Sequence, residues 1–87
     1  MTTDQMVEFY IEPFGPTSSV AQYWFISVGA PPRTVGFHND LAEATAHAIR
    51  MAEYRALSGH AAQVHLKRDD SQWHTVWSSS GIDPHFP

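Results

Sequence analysis

Residues 38 to 59, HNDLAEATAHAIRMAEYRALSG, carry the strongest constraint in the chain: a helix of about five turns whose buried face is mostly small, with alanine the commonest residue on it. Asp40-Leu-Ala-Glu43 reads as a capping box, in which the Asp40 carboxylate accepts from the backbone three residues on and Glu43 reaches back. Gly59 supplies the stop, because glycine enters the left-handed conformation at least cost. Leu41, Ala44, Thr45, Ala48, Ile49, Ala52 and Ala56 fall on one side, and Glu43, His47, Arg50 and Tyr54 on the other. A contact face this small closes at native density only against large side chains.

The flanking segments supply them. Met6 to Ile11 alternates, with Val7, Phe9 and Ile11 on one side and Met6, Glu8 and Tyr10 on the other, the period of a half-buried strand. EPFGPTSS, with two prolines and a glycine, predicts a loop. AQYWFISVG and the short TVGF, joined through GAPPR, predict a hairpin pairing Val28 with Arg33, Ile26 with Val35 and Trp24 with Phe37. After the helix, AAQVHLK and QWHTVWSSS around RDDS predict a second hairpin pairing Lys67 with Gln72 and His65 with His74. That register places Ala62, Val64 and Leu66 with Trp73, Thr75 and Trp77, so indoles lie beneath the alanine stripe. The expected fold is α+β in the order β-β-β-α-β-β, an antiparallel sheet of four to five strands with one helix on one face. The 87 residues form one domain, with 80–87 an irregular C-terminal tail.

Charged residues make up 16% of the chain, below the roughly 25% typical of soluble domains, while 43% is hydrophobic, so the chain has the composition of a folded domain. Five Lys+Arg against nine Asp+Glu give a net charge of -4. That balance argues against a sequence-independent grip on nucleic acid, which depends on neutralising phosphates. The absence of cysteine excludes disulfides and thiolate metal sites. With no basic or apolar leader in MTTDQMVEFY and no run of about 18 apolar residues, a cytoplasmic protein without membrane attachment is expected.

The chemistry-bearing residues point away from catalysis. His65 and His74, expected opposite each other at roughly 5 Å between Cβ atoms, could share one metal ion. A zinc site needs three or four protein ligands, and Glu8 is the one acidic candidate nearby. No metal or cofactor is therefore expected, a His-based metal-binding domain being the third-ranked reading. Glu43, His47 and Arg50 form an i, i+4, i+7 stripe of the kind that any solvated helix face shows. SSSG lacks the GxSxG context, and there is no glycine-rich phosphate loop. No catalytic residue is assigned.

The sheet face away from the helix is expected to carry Tyr10, Tyr23, Phe25, His65, His74 and Val76. An exposed aromatic patch on a small domain marks an interface, so Tyr10, Tyr23, Phe25, His65 and His74 are the candidate partner-binding residues. YWFI is apolar on both sides, which leaves open the inverse assignment, with Trp24 and Ile26 outermost.

The order strand, strand with Trp24, short strand, NDLAEATAHA, strand, strand resembles the short bacterial ββαββ domains of unknown function. In these a Trp-containing hairpin runs into a t-x-x-EA-x-x-x-A helix and a closing hairpin. The likeness spans about residues 21–78 and rests on Trp24, Phe37, Glu43, Ala44 and Ala48. Its outline is shared with the partial-RNase-H-like domain of HicB-type antitoxins and with small phage-encoded inhibitors of host defence. The N-terminal strand and GIDPHFP fall outside the pattern, and the resemblance carries over no catalytic residue. The preferred reading is a non-catalytic protein-protein interaction module, binding a protein partner or a second copy of itself. A nucleic-acid-associated regulator of antitoxin type, or a phage inhibitor, is the alternative.

Overall fold

The computed structural model describes residues 6–14, 23–68 and 72–79. Five strands and one helix follow in the expected chain order: β1 (Val7–Phe14), β2 (Tyr23–Val28), β3 (Arg33–His38), α1 (Leu41–Leu57), β4 (Ala62–Lys67) and β5 (Trp73–Ser78). Residues 15–19 of the expected EPFGPTSS loop, 69–71 of the expected RDDS turn and the expected tail at 80–87 lie outside the described residues.

The sheet is mixed rather than antiparallel, in the order β3-β2-β1-β4-β5. β1 sits at its centre, antiparallel to β2 and parallel to β4, with Phe9 opposite Val28 and Val64, and Ile11 opposite Ile26 and Leu66. Alternation along one strand reports which residues share a face and says nothing of a neighbour's direction, so the parallel ladder had no signature in the sequence. β1 also runs three residues further than expected. Glu12, Pro13 and Phe14 pair with β2 alone, past the last partner on β4, where proline's missing N–H interrupts no second ladder.

The alternation sorts the faces as expected. Phe9, Ile11, Ile26 and Val64 are fully buried beneath α1, together with Ala44, Ala48 and Ala52. Trp24 and Trp77 pack at the margin of this core. The helix rests on β1 to β4, so the alanine stripe is matched by branched aliphatics and Phe9 at its centre and by indoles at its rim.

Two irregularities move residues across the sheet. In the first hairpin the register holds at Val28–Arg33, then slips at Val35, so that Ile26 pairs with Gly36, Phe25 with Phe37 and Trp24 with His38. The expected Trp24–Phe37 and Ile26–Val35 pairs are thereby corrected: the bulge sends Phe37 to the open face and His38 to the helix face. In the second hairpin Lys67 pairs with Trp73, Leu66 with His74 and His65 with Thr75. This is one residue out of the expected phase, and a one-residue slip exchanges faces. Trp73 and Thr75 therefore lie on the open face, and His74 shares the helix-side face with Leu66. A bulge opposite Val64/His65 then restores Trp77 to the core side opposite Val64 and leaves Val76 at the irregularity.

The helix ends follow from their capping residues. Asp40 Oδ1 accepts from the Ala42 N–H at 3.3 Å. Glu43 does not complete the box; its carboxylate lies 3.9 Å from His38 Nδ1. At the other end Gly59, at φ +98°, donates to Ala56 O, and His60 donates to Arg55 O, the paired bonds of a Schellman turn. Ala48, fully buried over the sheet, has no space for a longer side chain. Ala48→Leu is expected to cost about 1–3 kcal/mol by overpacking, read as a lower urea midpoint at an unchanged slope; an unmoved midpoint would show that the helix does not rest on the sheet through its alanines.

Candidate functional site: the open sheet face and the histidine pair behind it

The open face is built by the alternate residues of the strands. Glu8, Tyr10, Glu12 and Phe14 come from β1, Tyr23, Phe25 and Ser27 from β2, Phe37 from β3, Gln63, His65 and Lys67 from β4, and Trp73 and Thr75 from β5. Tyr10, Tyr23, Phe25 and His65 thus stand where the alternation places them, and the inverse assignment with Trp24 and Ile26 outermost is excluded. His74 does not join them. Phe14, Phe37 and Trp73, which sequence reasoning missed, do. Phe14 was hidden by the loop assigned to a Pro-rich stretch, the other two by the bulge and the phase of the second hairpin.

The rings form two groups. At the β2–β3 side Phe14 meets Phe25 and Phe37 edge-on, at 6.1 and 5.9 Å between centroids, and Tyr23 stacks on Phe37 at 5.3 Å. At the β4–β5 side Tyr10 lies 5.2 Å from both the His65 and Trp73 rings, and Lys67 Nζ is 5.7 Å from the Trp73 centroid. The relative exposures of Phe14 (56%), Phe37 (53%), Trp73 (44%) and Tyr23 (38%) are high for rings that already touch one another. They remain wet because no second layer covers them.

A polar row crosses this face. His65 Nε2 lies 2.9 Å from Glu8 Oε1, and His65 Nδ1 lies 2.9 Å from Thr75 Oγ1. With Glu8 as a carboxylate that only accepts, a neutral His65 carries its proton on Nε2 and accepts the Thr75 hydroxyl at Nδ1. Burial raises the Tyr10 phenol above its ordinary value of 10.0, and the Glu8 charge and hydrogen bond add to the effect. The order carboxylate–imidazole–hydroxyl is that of an activated nucleophile. Here, however, Thr75 stands exposed on an open sheet, so bulk water would compete for anything bound at its hydroxyl. The row fixes His65 and satisfies three polar side chains.

On the helix side, the bulge in β3 brings His38 against α1. Its Nε2 is 2.8 Å from His47 Nδ1. Gly36 makes room, since a Cβ there would stand 2.9 Å from Ile26 Cδ1 and 3.2 Å from His47 Nδ1. The Glu43–His47–Arg50 stripe is therefore not simply solvated, because His47 is half-buried against β3. Among the described residues no group of three or more His, Cys, Asp or Glu side chains is placed to hold a metal ion, and no helix is long and apolar enough to cross a membrane. No protein-family model, curated protein or solved structure matches the chain.

Burial holds His47 below its ordinary imidazole value of 6.5, with the charges of His38 and Arg50 adding. Folding thus favours the neutral ring. Its contribution to stability is complete above pH 6.5 and is lost as pH falls from there towards the lowered folded value, where the unfolded chain takes up the proton first. His38 on β3 and Arg50 on α1 are the neighbours whose charges add to the effect of burial. Urea midpoints at pH 7.5 and 5.5 should fall further for the unsubstituted protein than for His47→Gln. Equal losses would show that His47 titrates as it does in the unfolded chain.

Proposed function

We propose that the protein is a non-catalytic interaction module that self-associates face to face through the open side of its sheet. One observation carries this: Tyr10, Phe14, Tyr23, Phe25, Phe37 and Trp73 are gathered on the face that α1 does not cover, with four of them at least 38% exposed. Aromatic residues supply most of the anchors in protein interfaces, and an apolar surface of this extent costs solubility until something covers it.

A second copy fits the face better than the alternatives. Five strands of about six residues span about 24 by 20 Å, a small face beside the roughly 800 Å² per partner of a standard interface, so the affinity rests on the aromatic anchors rather than on area. A two-fold axis through the Phe14, Tyr23, Phe25 and Phe37 group sets apolar surface on apolar surface and leaves Glu8, His65 and Lys67 towards the rim, with Glu12, opposite Phe25, the one charge beside the rings. Association through sheet edges is disfavoured, because both hairpins that end in an edge strand carry register irregularities that interrupt strand addition. Nucleic acid, the partner in the antitoxin-type reading, could stack on the same rings, yet the face offers it Lys67 against Glu8 and Glu12, and affinity for phosphates needs a cationic excess.

Tyr23 and Phe37 stack on each other in the exposed group, so Tyr23→Ser with Phe37→Ser removes the anchor pair without opening the core. Light scattering after size exclusion should show a dimer for the unsubstituted chain at high micromolar concentration and a monomer for the double variant, the loss of two anchors being worth about 2 kcal/mol or more. The far-UV circular dichroism should be retained. A monomeric unsubstituted chain, or a folded variant that still dimerises, would refute the reading.

A further inference from the structure

We propose that the cavity between the C-terminal half of α1 and the start of β3, on the helix side of the sheet, binds a small organic phosphate monoester with a flat apolar body. The cavity has a volume of about 470 Å³, within the range of small-molecule sites. Phe9, Val28, Val35 and Met51 form an apolar floor, and Arg33, His47, Arg50, Tyr54 and Arg55 complete the lining.

The distribution of charge distinguishes this lining from an ordinary solvated helix flank. The chain has five Lys+Arg and a net charge of -4, yet Arg33, Arg50 and Arg55 converge on one cavity from two elements. Among the described residues, none of these guanidinium groups is within 4 Å of a carboxylate. Glu53, three residues beyond Arg50 on the same helix, makes no such pair. Arg33 and Arg55 also line the adjoining cavity at the β2–β3 turn, where Glu8 is the one carboxylate among the described residues, and an anion in the helix-side cavity can accept from guanidinium groups that no carboxylate pairs directly. A guanidinium fork matches two oxygens at a time, and the three terminal oxygens of a phosphate monoester can serve more than one fork where the two of a carboxylate fill one.

The remaining lining residues select the rest of the ligand. Tyr54 is 69% exposed, and its ring beside the apolar floor offers a surface for a flat body. His47 is positioned rather than free: its Nδ1 is engaged by His38 over the space left by Gly36. With His38 Nε2–H donating to His47 Nδ1, the neutral His47 ring carries its hydrogen on Nε2 and presents a donor at that atom. This site lies on the opposite side of the sheet from the aromatic face and does not depend on the association proposed above.

The test titrates phenyl phosphate, inorganic phosphate and phenol into the full chain at pH 7.5, followed by backbone amide shifts in NMR. Phenyl phosphate should move Arg33, His47, Met51, Tyr54 and Arg55 saturably. Inorganic phosphate should bind the same residues about tenfold more weakly for lack of the apolar contact, and phenol should leave them unmoved. Arg33→Gln and Arg50→Gln, both at exposed positions, should each weaken phenyl phosphate about tenfold, while Lys67→Gln on the open face should not. Shifts scattered over the surface, equal affinity for inorganic and phenyl phosphate, or equal weakening by Lys67→Gln would overturn the proposal.

Discussion

β1 is hydrogen-bonded on both flanks, and the rest of the structure depends on that position. Antiparallel bonding to β2 is reached through a short connection, but the parallel ladder with β4 requires the chain to cross over before it returns. The chain reaches the β3 edge first, and α1 then carries it back over β2 and β1 to β4, so the helix lies across the strands beside β1. Phe9 and Ile11 then face the alanine stripe, and Glu8, Tyr10 and Glu12 face away. Both sites follow from this single placement. The aromatic face is the side that the one crossover helix leaves bare, and the basic cavity opens where its C-terminal half passes the start of β3.

The two faces divide the chain's few charges. Lys67 is the only lysine, and it faces the open side over Trp73 with two carboxylates on the neighbouring strand. Three arginines line one cavity on the helix side. A protein with an acidic net charge can therefore carry one local anion site and one nearly neutral aromatic surface, because interactions at these distances are set by the nearest groups and screened beyond about 8 Å at physiological salt.

Much of this was legible in the residues. The alternation of β1, the faces of Tyr23, Trp24, Phe25 and Ile26, the alanine stripe and the glycine stop all express periodicity or a local backbone demand, which one strand or one helix displays alone. What was not legible depends on pairs. The parallel partnership of β1 and β4 leaves no trace in either strand's alternation. The bulge at Val35 and the phase of the second hairpin each displace a side chain by one position, enough to exchange Phe37 for His38 and Trp73 for His74 between faces. Pro13 and Gly36 were the available signals. The proline lies where β1 has lost one neighbour, and the glycine sits where the His47 ring lies close to β3, next to the bulge.

The central claim is that the sheet's uncovered face meets the same face of a second copy. Its most direct test is an isotope-filtered nuclear Overhauser experiment on an equal mixture of labelled and unlabelled chains. The account predicts intermolecular contacts among the ring protons of Phe14, Tyr23, Phe25 and Phe37, and none to Tyr54 or Leu57 on the helix. Intermolecular contacts confined to the helix, or none from the rings at millimolar concentration, would contradict it.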